Sequence, residues 1–175
     1  HECSSAASDV YKRQALVTGG SKNIGKEIAL SLASEKVNIA FTYNSSENQA
    51  EETLNEIKKF GVQARAYKLD ISKFNETQDV LQKIYKDFGN IDILINNAGF
   101  TKIKKFLETN IDDWNKQIDI SLKGTIYCCH LVSKKMINNQ DGRIINIVGD
   151  SSRIGEANLA ITAAARGGTT VSYTH

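Results

Sequence analysis

Ala15-Leu16-Val17-Thr18-Gly19-Gly20-Ser21-Lys22-Asn23-Ile24-Gly25 decides the fold of this chain. Ala15–Thr18 is a short apolar run that ends at glycines. Ile24, Ile28 and Leu32 then recur at helical spacing as far as Ser34. Strand, glycine turn and helix follow one another within twenty residues. A glycine turn in that place lets backbone N–H groups approach a phosphate, and the helix N-terminus adds partial positive charge. By itself the loop fits three structures. One is a dinucleotide-binding turn of the form T-G-x-x-x-G-x-G. The second is a P-loop, with Gly20, Gly25 and Lys26 in register but Glu27 where a magnesium-binding hydroxyl is needed. The third is a turn with no ligand.

Working outward, strand and helix signals alternate. Val37–Tyr43, Val62–Leu69, Ile91–Ile95 and Ile144–Val148 are the further strand candidates. Ser46–Phe60 is helical, with Ala50, Leu54, Ile57 and Phe60 on one face and Gly61 as its stop. Phe74–Phe88 carries Val80, Leu81, Ile84, Tyr85 and Phe88. A long helix is expected from about Ile111 to Ile137, capped by Thr109 with Asp112 at capping-box spacing. A last helix begins near Ala157. The strands read as continuous apolar runs, as burial on both faces requires. The expected fold is therefore α/β, a doubly wound parallel sheet. Such a sheet binds ligands beyond the carboxyl ends of its strands, near the switch in strand order.

Composition excludes several other classes. The chain has 175 residues, 41% hydrophobic and 24% charged, which suits one globular domain. Its net charge of +2, from 22 basic and 20 acidic residues, gives no reason to expect nucleic acid or an anionic membrane as partner. No run of eighteen apolar residues is present to span a bilayer. Three cysteines cannot build a disulfide framework, and no C-x-x-C or His/Cys cluster points to a metal. A reduced, cytoplasmic setting follows. There is no proline, where average usage of about 5% would give roughly nine. The opening HECSSAASDVYKRQ and the closing TTVSYTH resemble translated adapter sequence. Residues 1–13 and 169–175 are therefore expected to be non-native tails around a domain at 14–168.

A second constellation separates the three possibilities. Asn96-Asn97-Ala98-Gly99 follows the fourth strand, and Asp70 follows the third in Leu69-Asp70-Ile71-Ser72. TGGSKNIG at 18–25, LDIS at 69–72, NNAG at 96–99, ISLKGT at 120–125 and GRIINI at 142–147 stand in the order and spacing of one family. The chain resembles the short-chain dehydrogenase/reductase family over about residues 15–168, most closely its 3-oxoacyl reductase branch. That resemblance implies a Rossmann-type sheet. It also implies that the sheet is incomplete on its C-terminal side, since family members continue for two more strands and two helices. Ile144–Val148 would then be an exposed apolar edge.

The resemblance further implies a nicotinamide cofactor and a small carbonyl or alcohol substrate, turned over by the full-length parent as an enzyme. Gly19, Ser21, Lys22, Asn23, Ile24 and Gly25 would cradle the diphosphate. Asp70 and Ile71 would hold the adenine, and Asn97, Ala98 and Gly99 would pass beneath the adenosine ribose. Asn23 stands where the family has its middle glycine, and Asn tolerates left-handed backbone angles. NAD-selective sites place an acid after the second strand. Here Thr42-Tyr43-Asn44-Ser45-Ser46 is uncharged, and Lys22 matches a basic position that holds a 2′-phosphate. NADP(H) is favoured over NAD(H).

The family's catalytic positions are altered. Its helix asparagine is Ser121, its serine is Gly149, its tyrosine is Thr162 and its lysine is Arg166. An aliphatic hydroxyl is a far weaker acid than a phenol, whereas Arg166 keeps its charge. Asp150, Ser151 and Ser152 lie close to the serine position, and Asp150 is the candidate substitute group. Tyr127 reads as core and His130 as solvated. Cys128 and Cys129 point roughly a hundred degrees apart on a helix, so they share no metal. The losses leave open a different class of protein, a non-catalytic nucleotide-binding sensor or interaction subunit. Family members pair through their long helices, so the parent is expected to be a homo-dimer or homo-tetramer.

Overall fold

The structure is a computed structural model that describes residues 13–172. Cys3, Tyr173 and most of the N-terminal tail lie outside the described residues. Five strands form one parallel sheet: β1 (Gln14–Val17), β2 (Asn38–Tyr43), β3 (Ala64–Lys68), β4 (Ile93–Asn96) and β5 (Arg143–Asn146), in the order β3-β2-β1-β4-β5. Helices α1 (Asn23–Ser34), α2 (Glu47–Lys58) and α3 (Phe74–Phe88) join the first four strands. The chain thus crosses from β1 to β3 on one side of the sheet, then returns to place β4 on the other flank of β1. That reversal opens a crevice at the carboxyl ends of β1 and β4.

Period-2 alternation sorts the strand residues between two cores. Ala15, Val17, Ile39, Phe41 and Ile95 face Ala29 and Ala33 of α1 and Ala50 and Ile57 of α2. Leu16, Ala40 and Leu94 face Val80, Leu81 and Ile84 of α3 and Cys128, Val132 and Met136 further on. Burial on both faces explains why these strands read as unbroken apolar runs.

The long helix expected over Ile111–Ile137 is interrupted. It comprises α4 (Ile111–Ile118), a π turn at Asp119–Lys123, and α5 (Gly124–Asn139). At the interruption the Ser121 carbonyl accepts the hydroxyls of Thr125 (3.2 Å) and Thr169 (3.3 Å), and the Gly124 N–H reaches back five residues to the Asp119 carbonyl. Side-chain donors entering the ladder are a recognised cause of such breaks. The cap also lies one residue further on than expected. Asn110, not Thr109, accepts from the Asp113 N–H (2.9 Å), and Asp113, not Asp112, returns the bond. Thr109 is occupied elsewhere: its hydroxyl donates to the Phe106 carbonyl and accepts from the Trp114 indole.

After β5 come the four-residue helix α6 (Ser151–Ile154) and then α7 (Ala160–Ser172), which starts three residues beyond the expected Ala157. The ordered helix runs past Gly168 to Ser172 and buries Thr169. As expected for an edge strand, β5 leaves Ile145 exposed, as is Val148 just beyond it. Replacing Asn110 with alanine should cost about 1 kcal/mol in urea unfolding, because the Asp113 N–H loses its acceptor. The exposed Asn138→Ala in α5 should cost nothing, and equal effects would contradict the cap assignment.

Candidate functional site

A cleft of about 570 Å³ lies at the crevice between β1 and β4. Gly19, Ser21, Lys22, Asn23, Ile24, Gly25, Asp70, Ile71, Asn97, Ala98 and Gly99 all line it, so the three separated motifs meet in one place. Thr42–Ser46 form a further wall. Leu69 lines it too, and Phe100, Lys116 and Ile120, which sequence reasoning did not single out, complete it.

Two side chains weld the loop after β1 to the loop after β4. The Thr18 hydroxyl accepts from the N–H groups of Asn97 and Ala98 (both 3.0 Å) and donates to the Ile95 carbonyl (3.4 Å). The Asn97 amide donates to the carbonyls of Thr18 (3.0 Å) and Gly19 (3.1 Å). Glycine is required where this weld is tightest. A Cβ on Gly25 would strike the Gly19 carbonyl oxygen and approach the Asn97 amide at 2.5 Å. Asn23 takes a φ of +50°, the left-handed conformation for which Asn is suited.

Lys26 does not face the cleft. Its ammonium pairs with Glu56 of α2 at 2.8 Å, which removes the cation that a P-loop would direct at phosphate. Asp70 is held as a carboxylate. Its Oδ1 accepts from the Ser72 hydroxyl (2.6 Å) and N–H (3.1 Å), and these bonds lower its pKa, with Lys73 at 3.5 Å assisting.

The residues expected at the catalytic positions behave differently. Ser121, fully buried in the π turn, accepts from the Phe100 N–H (3.1 Å) and donates to the Phe100 carbonyl (3.3 Å). Thr162 is buried on α7 and bonded to the Gln117 Oε1 at 2.5 Å. The direction of that bond is fixed by its neighbours. Gln117 accepts at Oε1 from the Lys102 N–H (3.2 Å) and donates from Nε2 to the Asp113 carbonyl (3.1 Å). Backbone N–H only donates and backbone carbonyl only accepts, so the amide cannot be flipped. Thr162 must give its proton to Gln117 and has none to offer a ligand. Arg166 donates from Nη1 to the Ile147 carbonyl (2.6 Å), and burial lowers its pKa. Its guanidinium lies where a Cβ on Gly99 would sit.

Ser121, Thr162 and Arg166 therefore gather around the π turn, the residues after β4 and α7. Asp150 stands apart, exposed at the head of α6, where its carbonyl accepts the N–H groups of Arg153 and Ile154. None of the four lines the cleft. Tyr127 is half-buried, edge-on to Phe74 at 5.2 Å, and His130 is exposed. Cys128 is buried, which pushes its thiol up to about 12, while Cys129 accepts from the Asn96 amide at 3.1 Å. The least legible member was Gln117, an ordinary surface residue by type that is 1% exposed here. The only sequence signal is its spacing of four from Asp113 in α4.

Residues 13–173 match the short chain dehydrogenase family. The chain belongs to that family. It is 38% identical over 155 residues to the 3-oxoacyl-[acyl-carrier-protein] reductase FabG of Staphylococcus epidermidis, covering 87% of this chain and 64% of that protein. It is 35% identical over 160 residues to the 2-dehydro-3-deoxy-D-gluconate 5-dehydrogenase of Formosa agariphila, covering 91% and 61%. Among solved structures, an NAD+-bound xylitol dehydrogenase superposes with a TM-score of 0.87 at 29% identity, covering 91% of this chain and 62% of that one. The acetoin dehydrogenase YohF of Salmonella typhimurium gives 0.84 at 29%, covering 89% and 62%. The chain thus spans less than two thirds of the length of these relatives. It is a member of an oxidoreductase family, and no described helix is long and apolar enough to cross a membrane.

The network that holds Gln117 has its own pH signature. Asp113 accepts from Lys102 (2.5 Å), Lys104 (3.1 Å) and the Asn110 N–H (3.4 Å). These bonds, Lys102 foremost, hold its pKa at about 2, below the ordinary 3.8. A depressed carboxylate stabilises the fold fully above its unfolded value, and that contribution is lost as pH falls from about 3.8 towards about 2. NMR titration of the Asp113 carboxyl should give a midpoint near 2, and Lys102→Met should raise it. A midpoint unmoved by that change would contradict the assignment.

Proposed function

We propose that this chain is the NADP(H)-binding part of a short-chain oxidoreductase that interconverts a carbonyl and an alcohol, with altered groups at the catalytic positions. The observation that carries the cofactor choice is that the uncharged wall Thr42–Ser46 and Lys22 line one cleft. A 2′-phosphate there meets a cation and no carboxylate. The cradle suits a dinucleotide, because Gly19 and Gly25 let the loop after β1 close tightly on Asn97 and Ala98, leaving its backbone bare along the cleft. In this reading the loop from Gly19 to Gly25 holds the diphosphate, Lys22 the 2′-phosphate, Asp70 and Ile71 the adenine, and Asn97–Gly99 the ribose. The bound nicotinamide supplies or accepts a hydride. The chain's own part is to orient the ligand, using the weld through Thr18 and Asn97 to set the loop before binding.

A specific observation favours a second reading, a nucleotide-binding sensor or interaction protein without turnover. The Thr162 proton is committed to Gln117, so the residue at the tyrosine position is a poor acid by type and already occupied by geometry. In the first reading the parent works as a homo-dimer or homo-tetramer in the cytoplasm, and the exposed Ile126 and Ile137 of α5 are available for such pairing.

Fluorescence titration should show NADPH binding more tightly than NADH. Lys22→Glu should weaken NADPH about tenfold and leave NADH nearly unchanged, as loss of a charged hydrogen bond predicts. Equal affinities in the unaltered chain would refute the NADP(H) assignment. NADPH oxidation across ketones, aldehydes and acyl thioesters then separates the two readings. Turnover that Asp150→Ala abolishes supports the enzyme, and tight binding without turnover supports the sensor.

A further inference from the structure

Two cations meet the short segment Gly99–Phe100 at the carboxyl end of β4. The Lys116 ammonium lies 4.4 Å from the centroid of the Phe100 ring, and Lys116 lines the cleft. The Arg166 guanidinium packs against Gly99, which also lines the cleft. Neither has a carboxylate partner among the described residues. Lys116 rests on an aromatic face instead, and Arg166 spends one of its five N–H donors on the Ile147 carbonyl. By contrast Lys26, Lys102, Lys104 and Lys123 are all paired with acids. Within the cleft lining Asp70 is the one carboxylate, and Ser72 and Lys73 already occupy it.

A half-buried guanidinium with unspent donors is costly unless an anion completes it. Neutral ribose hydroxyls would satisfy donors and leave the charge. The ligand's diphosphate is drawn to the other wall, where the glycine loop presents backbone N–H groups. We propose that Lys116 and Arg166 form an anion-binding corner at the end of β4, and that it takes the carboxylate of an oxo- or hydroxy-carboxylic acid. The planar fork of Arg166 matches the two oxygens of a carboxylate. Lys116, held only by a ring contact, is free to turn to the same anion. This assignment names a substrate class and rests on the reading of the cleft as a nicotinamide-dinucleotide site.

The test is calorimetric and needs no turnover. The full chain is first titrated with NADP+, which checks the underlying reading separately. The NADP+-loaded chain is then titrated with acetoacetate and with its neutral methyl ester. Acetoacetate should bind about tenfold more tightly than the ester, as expected for one charge-assisted pair. Arg166→Gln should erase that preference and Lys116→Met should reduce it, each titrated at saturating NADP+. Arg166→Lys, which keeps the charge and loses the fork, should retain part of it. If Arg166→Gln fails to fold, the unaltered chain and Lys116→Met still decide the matter. Equal binding of acid and ester, or no binding of either to an NADP+-loaded chain, overturns the proposal. So does inorganic phosphate competing as well as acetoacetate, or an Arg166→Gln that keeps the acid preference. Failure of NADP+ to bind at all would instead remove the reading beneath it.

Discussion

The bond from the Asn97 N–H to the Thr18 hydroxyl, with its companions from Ala98 and the Asn97 amide, is the constraint on which the rest of the site depends. Each such bond contributes about 1 kcal/mol net. Their larger effect is geometric. They join two loops separated by 79 residues in sequence and pull them close enough that Gly25 has no space for a side chain. Parallel strands cannot be linked by tight turns, so the ends of β1 and β4 would otherwise be free to splay. With the weld made, the walls of the cleft are set before any ligand arrives, which lowers the ordering cost of binding.

A second polar cluster does for the helical side what this weld does for the sheet. Gln117 ties α4 to the residues after β4 through Lys102 and to α7 through Thr162, and Asp113 anchors the same loop through two lysines. Buried polar groups of this kind are tolerated when they are hydrogen-bonded, and Asp113, Gln117 and Thr162 each have partners here. Its consequence is that the Thr162 hydroxyl is consumed in structure, while Arg166 keeps most of its donors unspent.

The sequence by itself determined the architecture and the three loops that line most of the cleft. Apolar runs and glycine turns depend on local steric and solvation rules, which act on neighbours in the chain and are legible there. Hence Thr18–Gly25, Leu69–Ser72 and Asn96–Gly99 were recognisable in one dimension, and Asn23 could be expected in a left-handed turn. The cap at Asn110 was missed by one residue because Thr109 and Asn110 are equally plausible caps, and only the pull of Phe106 and Trp114 on Thr109 separates them. The break at Asp119–Lys123 leaves no local signal, and the Thr169 hydroxyl that reaches its Ser121 carbonyl arrives from 48 residues away.

Only the tertiary structure decided the state of Thr162 and Arg166. Sequence spacing could say only that they stand where the family resemblance implies a phenol and an amine. It could not say that Thr162 has given its proton to Gln117, or that Arg166 lies against Gly99 with Lys116 on the neighbouring ring. Hydrogen-bond polarity and charge pairing are set by which groups meet in space, and α4, α7 and the end of β4 meet only when the sheet and its helices are assembled.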